Sequence, residues 1–294
     1  MLSGYFLSIL DMADVTISGL NDLTPQGNTV LPISNGSTTG KTTIASLPVS
    51  WNSVTGKPAI PVPVAMDVLI VGGGGSGGNG FADQAGAGGG GGVINYTNYN
   101  IYPGTYYITI GAGGYSPGGS YNRSDGSNTL VFGGNPAVNF VAYGGGAGAA
   151  QRGQRGNNGG SGGGGGDFGG VGGSGVFGQG NSGGSVASNA ECPGGGGGAG
   201  SAGIACTGGQ GIFSGITGTT LQYASGGTAN ITLNYAAPNT GNGGASWGTP
   251  GGSSGVVIFA YQGTGKASGG TVSTTSRPGW TVHTFTSNGT FIVN

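Results

Sequence analysis

Residues 67–77 read DVLIVGGGGSG, a short apolar run entering a cluster of glycines. Gly72, Gly74 and Gly77 stand at the spacing of a dinucleotide-binding turn. Such a site needs a helix after the turn, whose N-terminal N–H groups hold the pyrophosphate, and an acidic residue about twenty positions on. Neither follows. Gly88–Gly92 occupy the place of the helix, where each interior glycine costs about 1 kcal/mol. Residues 85–110 contain no Asp or Glu. With 77 glycines in 294 residues, the pattern is a consequence of composition, and the glycines require a different account.

Glycine is unevenly distributed. Only six of the 77 fall in residues 1–63, so 71 belong to residues 64–294. The step lies at Pro61-Val62-Pro63 and divides the chain into regions 1–63 and 64–294. Seven Lys+Arg oppose eight Asp+Glu, a net charge of -1. Nucleic-acid binding rests on clustered cations, so this composition argues against it. Twelve Tyr and ten Phe supply apolar material for a core, unlike a charge-rich disordered chain.

The apolar stretch LSGYFLSIL at 2–10 is too short to cross a bilayer and lacks the basic flank of a signal peptide. It reads as a hydrophobic end that packs on something, with no membrane insertion. Met12 is an alternative start to Met1.

Between residues 14 and 60, VTISGL, TVLPIS and KTTIASL read as short strands, with turns at Asn35-Gly36 and Thr55-Gly56. Strands with so few large apolar residues borrow a core by trimerising or docking. From residue 64 onward, strands are expected at 64–71, 93–101, 105–110, 127–132, 138–143, 229–235, 255–261, 281–286 and 290–293. Tyr102-Pro103-Gly104 suits a hairpin turn. No segment of 64–294 reads as a helix.

Glycine runs at 72–75, 88–92, 162–166 and 194–198, and looser tracts at 111–119, 144–148, 169–175 and 241–252, separate these strands. Flexible linkers would not interrupt a fold so often. A collagen helix needs glycine at every third position with abundant proline, and the tracts have neither. A third arrangement fits: extended helices of three residues per turn, with no internal hydrogen bonds, packed so that each pairs the main chain of its neighbours. Side chains would block that approach, so a central helix needs glycine almost throughout. The expected fold is therefore all-β: a region of short strands, then a β-sandwich with packed polyglycine II helices.

The segments MDVLIVGGGGSGG (66–78), GGGGGVINYTNYNIYPGTYYITIGAGG (88–114) and GWTVHTFTSNGTFIV (279–293) resemble the glycine-rich domains of bacteriophage tail-fibre proteins and tip adhesins. The N-terminal sequence from Met12 resembles virion-attachment ends of such fibres, and SWNSVTGKP (50–58) is similar to a connector motif. In that family the VHTFTSNGTF segment usually precedes the DVLIV strand; here it comes last, so the final strands are expected beside residues 66–71. The resemblance implies a virion protein, assembled in the host cytoplasm as a homotrimer. Its N-terminal region would join baseplate or tail proteins. Its 64–294 region would bind a bacterial surface polysaccharide or outer-membrane protein through loops between the glycine tracts.

Contact residues of that kind are aromatic and planar polar groups. The candidates are Phe81, Tyr121, Arg123, Gln151, Arg152, Gln154, Arg155, Phe168, Phe177, Phe213 and Trp247. The cluster Gln151–Arg155 also reads as a solvated loop, and Trp247 as a cap on the glycine lattice. For catalysis, Asp125, Asp167 and Glu191 are the carboxylates in suitable loops. Nothing in their spacing marks a glycosidase pair, so they read as turn carboxylates and no catalytic function is expected. The lone His283 reads as a strand residue. Cys192 and Cys206, with thirteen residues between them and no nearby His, either pair or remain thiols; no metal or cofactor is expected. A connector that binds no host is the main alternative function. An ice-binding face would need Thr or Ala every third residue, which is not found.

Overall fold

The computed structural model describes residues 30–34, 39–43, 61–78, 84–117, 123–229, 236–246 and 251–294. The chain forms two compact units, Met1–Ile60 and Pro61–Asn294. In the first, β1 (Val30–Ser34) and β2 (Thr39–Thr43) form an antiparallel pair. The turns at Asn35-Gly36 and Thr55-Gly56, the connector motif 50–58 and the carboxylates Asp11, Asp14, Asp22 and Asp83 lie outside the described residues.

The second unit is built on two five-stranded antiparallel sheets, with no α-helix among the described residues. The first sheet contains β3 (Val64–Val71), β4 (Val93–Ile101), β10 (Val256–Gln262), β12 (Thr271–Ser273) and β13 (Trp280–Phe285), in the order β12-β13-β10-β3-β4. The second contains β5 (Gly104–Thr109), β6 (Thr129–Gly133), β7 (Val138–Ala142), β11 (Ala267–Ser268) and β14 (Gly289–Val293), in the order β11-β14-β5-β6-β7. A hairpin, β8 (Ile212–Ser214) and β9 (Leu221–Tyr223), completes the set.

Strand alternation dictates the layers. Met66, Val68 and Ile70 of β3 join Val257, Phe259 and Tyr261 of β10 on one face. There they meet Tyr106, Ile108, Val131, Phe291 and Val293 of the second sheet. The intervening residues Leu69, Val71, Val256, Ile258 and Ala260 face the other way, against Ile216 and Tyr223. The first sheet is thus covered on both sides, which is why VLIV and VVIFA are continuous apolar runs rather than alternating ones.

Several expectations require correction. Tyr102-Pro103-Gly104 does not close a hairpin. β4 ends in the first sheet and β5 begins in the second, so this turn is the corner where the chain changes layers. The terminal strands do not lie directly beside β3: β10 stands between β3 and β13, and β14 pairs with β5 in the opposite sheet. The reason is that β10 is apolar on both faces, a property suited to a central position. The expected strand at 229–235 falls almost wholly outside the described residues. The short hairpin β8–β9 and the short edge strands β11 and β12, which pair with β14 and β13, carry little periodic signal and are not expected from the sequence.

Beyond the sheet ends, the glycine tracts form a lattice. Residues 86–92 occupy its centre. Gly86, Gly89 and Gly92 donate to Ala149, Gly146 and Tyr143 at 2.8, 2.8 and 2.7 Å. Ala87 and Gly90 donate to Gly194 and Gly197 at 3.0 and 2.9 Å, and Gly88 and Gly91 to Gly244 and Gly241, both at 2.8 Å. Each neighbour is therefore met at every third residue, the periodicity of a polyglycine II helix. On the acceptor side, the carbonyls of Gly92, Gly89 and Gly86 receive Gly72, Gly75 and Gly78. Those of Gly90 and Ala87 receive Ser161 and Gly164, and that of Gly88 receives Gly227. One thread is thus bonded to six others. A Cβ at Gly88 would sit 2.1 Å from the carbonyl oxygen of Gly75, and one at Gly90 2.3 Å from that of Ala224. The glycine run is a packing requirement.

Candidate functional site

Threads such as 72–78 and 143–149 leave strand ends and run outward, while between β7 and β8 successive threads are joined by turns alone. Seven residues at about 3.1 Å each carry the chain roughly 20 Å from the sandwich. The turns at that far end are knitted by main-chain bonds. Gly153 N–H donates to Asp167 O at 2.7 Å, and Gly166 N–H to Gln154 O at 3.0 Å. Asp167 N–H donates to Gln84 O at 3.2 Å, and Phe168 N–H to Ala190 O at 3.0 Å.

The side chains of these turns are equally engaged. The guanidinium of Arg152 lies over the Phe168 ring, 4.0 Å from its centroid, and its Nε stands 3.4 Å from Asp167 Oδ2. Asp167 is buried and Arg152 exposed. Phe168 adopts φ of 50°, a conformation bulky L-residues avoid; such strain costs about 1–3 kcal/mol and persists where surrounding contacts enforce it. Here the enforcing contacts are Arg152 above the ring and the Ala190 carbonyl on the N–H. Gln154 Nε2 donates to Gln151 Oε1 at 3.1 Å.

Arg123 joins this end from a separate tract. Its guanidinium donates to the carbonyl of Gly148 and, at 3.3 Å, to that of Arg155. Burial pulls its pKa below the ordinary arginine value, with Asp125 opposing the shift. Asp125 Oδ1 accepts from Ala147 N–H at 2.7 Å and from Asn157 Nδ2 at 2.8 Å. Arg123 therefore braces the turn that displays Arg155, which is itself exposed.

Arg123, Gln151, Arg152, Gln154, Arg155 and Phe168 thus converge on one end of the lattice. Phe177 and Phe213 do not. Phe177 is fully exposed on a turn at the sheet-proximal end, next to Gln179, whose carbonyl accepts from Val93 N–H. Phe213 lies in β8, on the flank of the unit. Phe81, Tyr121 and Trp247 lie outside the described residues. The sequence reads Asp167 as a turn carboxylate; the structure places it in such a turn but buried, where it anchors Arg152. The adjacent Asp167-Phe168 pair, breaking a glycine run, was the available signal.

Several of the remaining chemistry-bearing residues have structural roles. Cys192 and Cys206 form a disulfide. Cys206 N–H donates to Pro193 O and its carbonyl accepts from Ala229, so the bridge also lies toward the far end. Asp67 pairs with Arg277 at 2.8 Å, and Arg277 stacks 3.5 Å over Trp280. His283 is fully buried, its Nδ1 2.7 Å from the Gly269 carbonyl and its ring against Phe291. Among the described residues no three His, Cys, Asp or Glu side chains group as metal ligands.

A family model described as a glycine-rich domain matches residues 53–281. The chain belongs to this glycine-rich domain family. The match spans the glycine lattice but stops at the second residue of β13, before Phe285, Phe291 and Val293, which complete the core of the sandwich. No curated protein and no solved structure matches the chain.

Proposed function

We propose that this glycine-rich domain protein is a bacteriophage tail-fibre or tip protein. Residues 1–63 attach it to baseplate or tail proteins, as a homotrimer, and the far end of the lattice binds a bacterial surface. The observation carrying this reading is the convergence of Arg152, Phe168, Gln151, Gln154 and Arg155 on turns locked to a rigid frame. Loops presented by a stiff scaffold lose little entropy on binding, and exposed arginine and aromatic groups are the usual energetic anchors of an interface. The resemblance of 66–114 and 279–293 to phage fibre domains supplies the virion context. The ligand class is a surface polysaccharide or an outer-membrane protein loop, recognised without catalysis.

The test is binding of fluorescently labelled full-length protein to bacterial cells. Cells of a strain that supports the virus encoding this chain should be decorated, and the Arg152→Ala and Arg155→Ala variants should decorate them about tenfold less well at equal concentration, a loss of about 1.4 kcal/mol. Absence of decoration on every permissive strain overturns the proposal. So does full binding by a double variant of Arg152 and Arg155.

A further inference from the structure

We infer that the flank of the lattice holds a second binding site, separate from the far-end turns, for a neutral saccharide. An open cleft of about 340 Å³ lies there, lined by Thr207, Gln210, Gln222, Ser225, Thr228 and Asn242 together with bare glycine main chain. Its volume falls within the range of small-ligand sites. None of its lining residues is charged.

The floor is rigid. Gly226 N–H donates to Gly209 O at 2.9 Å, Gly209 N–H to Gly196 O at 2.8 Å and Gly243 N–H to Ser225 O at 2.8 Å. The walls are pre-positioned amides. Gln222 Nε2 donates to Gln210 Oε1 at 2.9 Å. That bond leaves the donor group of Gln210 and the acceptor oxygen of Gln222 for a ligand. Asn242 Oδ1 is held by Ser225 N–H at 2.9 Å, which fixes its amide and leaves its NH₂ as a donor.

An aromatic group adjoins these amides. In the β8–β9 hairpin, Ile212 and Tyr223 turn inward to the core while Phe213 and Gln222, direct cross-strand partners, lie on the opposite face. Such partners have Cβ atoms about 5 Å apart. The Phe213 ring, 67% exposed, therefore stands beside the Gln222–Gln210 pair. An apolar ring face next to uncharged amides that alternate donor and acceptor matches a sugar, whose C–H face is apolar and whose vicinal hydroxyls each donate and accept. The absence of charged lining favours a neutral glycan over an anionic one, because burying an unpaired carboxylate or phosphate is costly.

The test is titration of the full-length ¹⁵N-labelled protein with maltohexaose, a linear galactan hexamer and tetra-N-acetylchitotetraose, following side-chain amide resonances. At least one probe at ~10 mM, enough for affinities worth only about 3 kcal/mol, should shift Gln210, Gln222 and Asn242. Phe213→Ala should weaken that binding about tenfold with the melting temperature unchanged, and Gln222→Ala should weaken it similarly. Arg152→Ala should leave the titration as it was, which separates this site from the far-end surface. No shift of these amides by any probe overturns the inference. So does binding that survives both flank variants, or tighter binding by an oligogalacturonate of the same length.

Discussion

The rings of Phe259 and Phe291 stack across the sandwich, with centroids 4.3 Å apart and planes 1° from parallel. Phe259 belongs to the central strand of one sheet and Phe291 to the other sheet. Phe285 meets both rings edge-on, at 6.5 and 6.0 Å. This cluster ties the last strand, in the second sheet, to the central strand of the first. Phe291→Ala should therefore destabilise the protein by about 3–5 kcal/mol, read as a shift of the denaturant midpoint in circular dichroism.

Space, rather than glycine flexibility, governs the lattice centre. Gly90→Ala drives a methyl group to 2.3 Å from the Ala224 carbonyl oxygen and should break the packing of several threads, lowering the melting temperature sharply or abolishing soluble protein. Gly215→Ala is the control: its nearest neighbour is Thr220 Oγ1 at 3.6 Å. That variant should lie within about 1 kcal/mol of the parent, since the unfolded chain loses entropy and the folded state loses little.

Amide exchange reports the lattice directly. Every N–H from Gly86 to Gly92 has a main-chain acceptor on a neighbouring thread, so these amides should exchange as slowly as those of β3 and β10. Exchange at the rate of a free glycine peptide would show that the threads are not mutually bonded.

The disulfide closes a segment of 14 residues in sequence separation. A cross-link of that span restrains the opened chain by about 3 kcal/mol. Reduction should accelerate amide exchange in residues 192–206 while leaving the protection of β3 and β10 intact. Equal acceleration throughout would mean that the bridge supports the whole unit.

Burial raises the pKa of Tyr106 above the ordinary phenol value of 10.0, with the bond to the Tyr102 carbonyl opposing and Tyr99 adding to the shift. Burial likewise raises Tyr223. Both folded groups hold their protons at a pH where the unfolded chain releases them. Their contribution is complete below pH 10 and declines as pH rises above it. Stability should fall above about pH 10, and a spectrophotometric titration should show Tyr106 and Tyr223 ionising above the ordinary phenol value. Tyr106→Phe and Tyr223→Phe should each remove one late-titrating group.

Local chemistry was enough to reveal the long strands and the lattice, though not the short strands β8, β9, β11 and β12. The runs VLIV and VVIFA announce buried strands, and GGGGG announces a thread whose main chain touches others on all sides, because no other residue leaves room for that approach. The same glycines explain what stayed hidden. A glycine thread has no side chain by which to recognise a neighbour, so nothing in residues 86–92 distinguishes residues 144–150 from 193–198 as partners. The sheet registers fix where the strand-borne threads start, and main-chain bonds between threads fix the rest and decide which turns share an end. That arrangement brought Arg152 to Phe168 and Asp167, moved Phe177 and Phe213 away from them, and placed β10 between β3 and β13. Each depends on contacts between residues far apart in the chain, where composition and period carry no information.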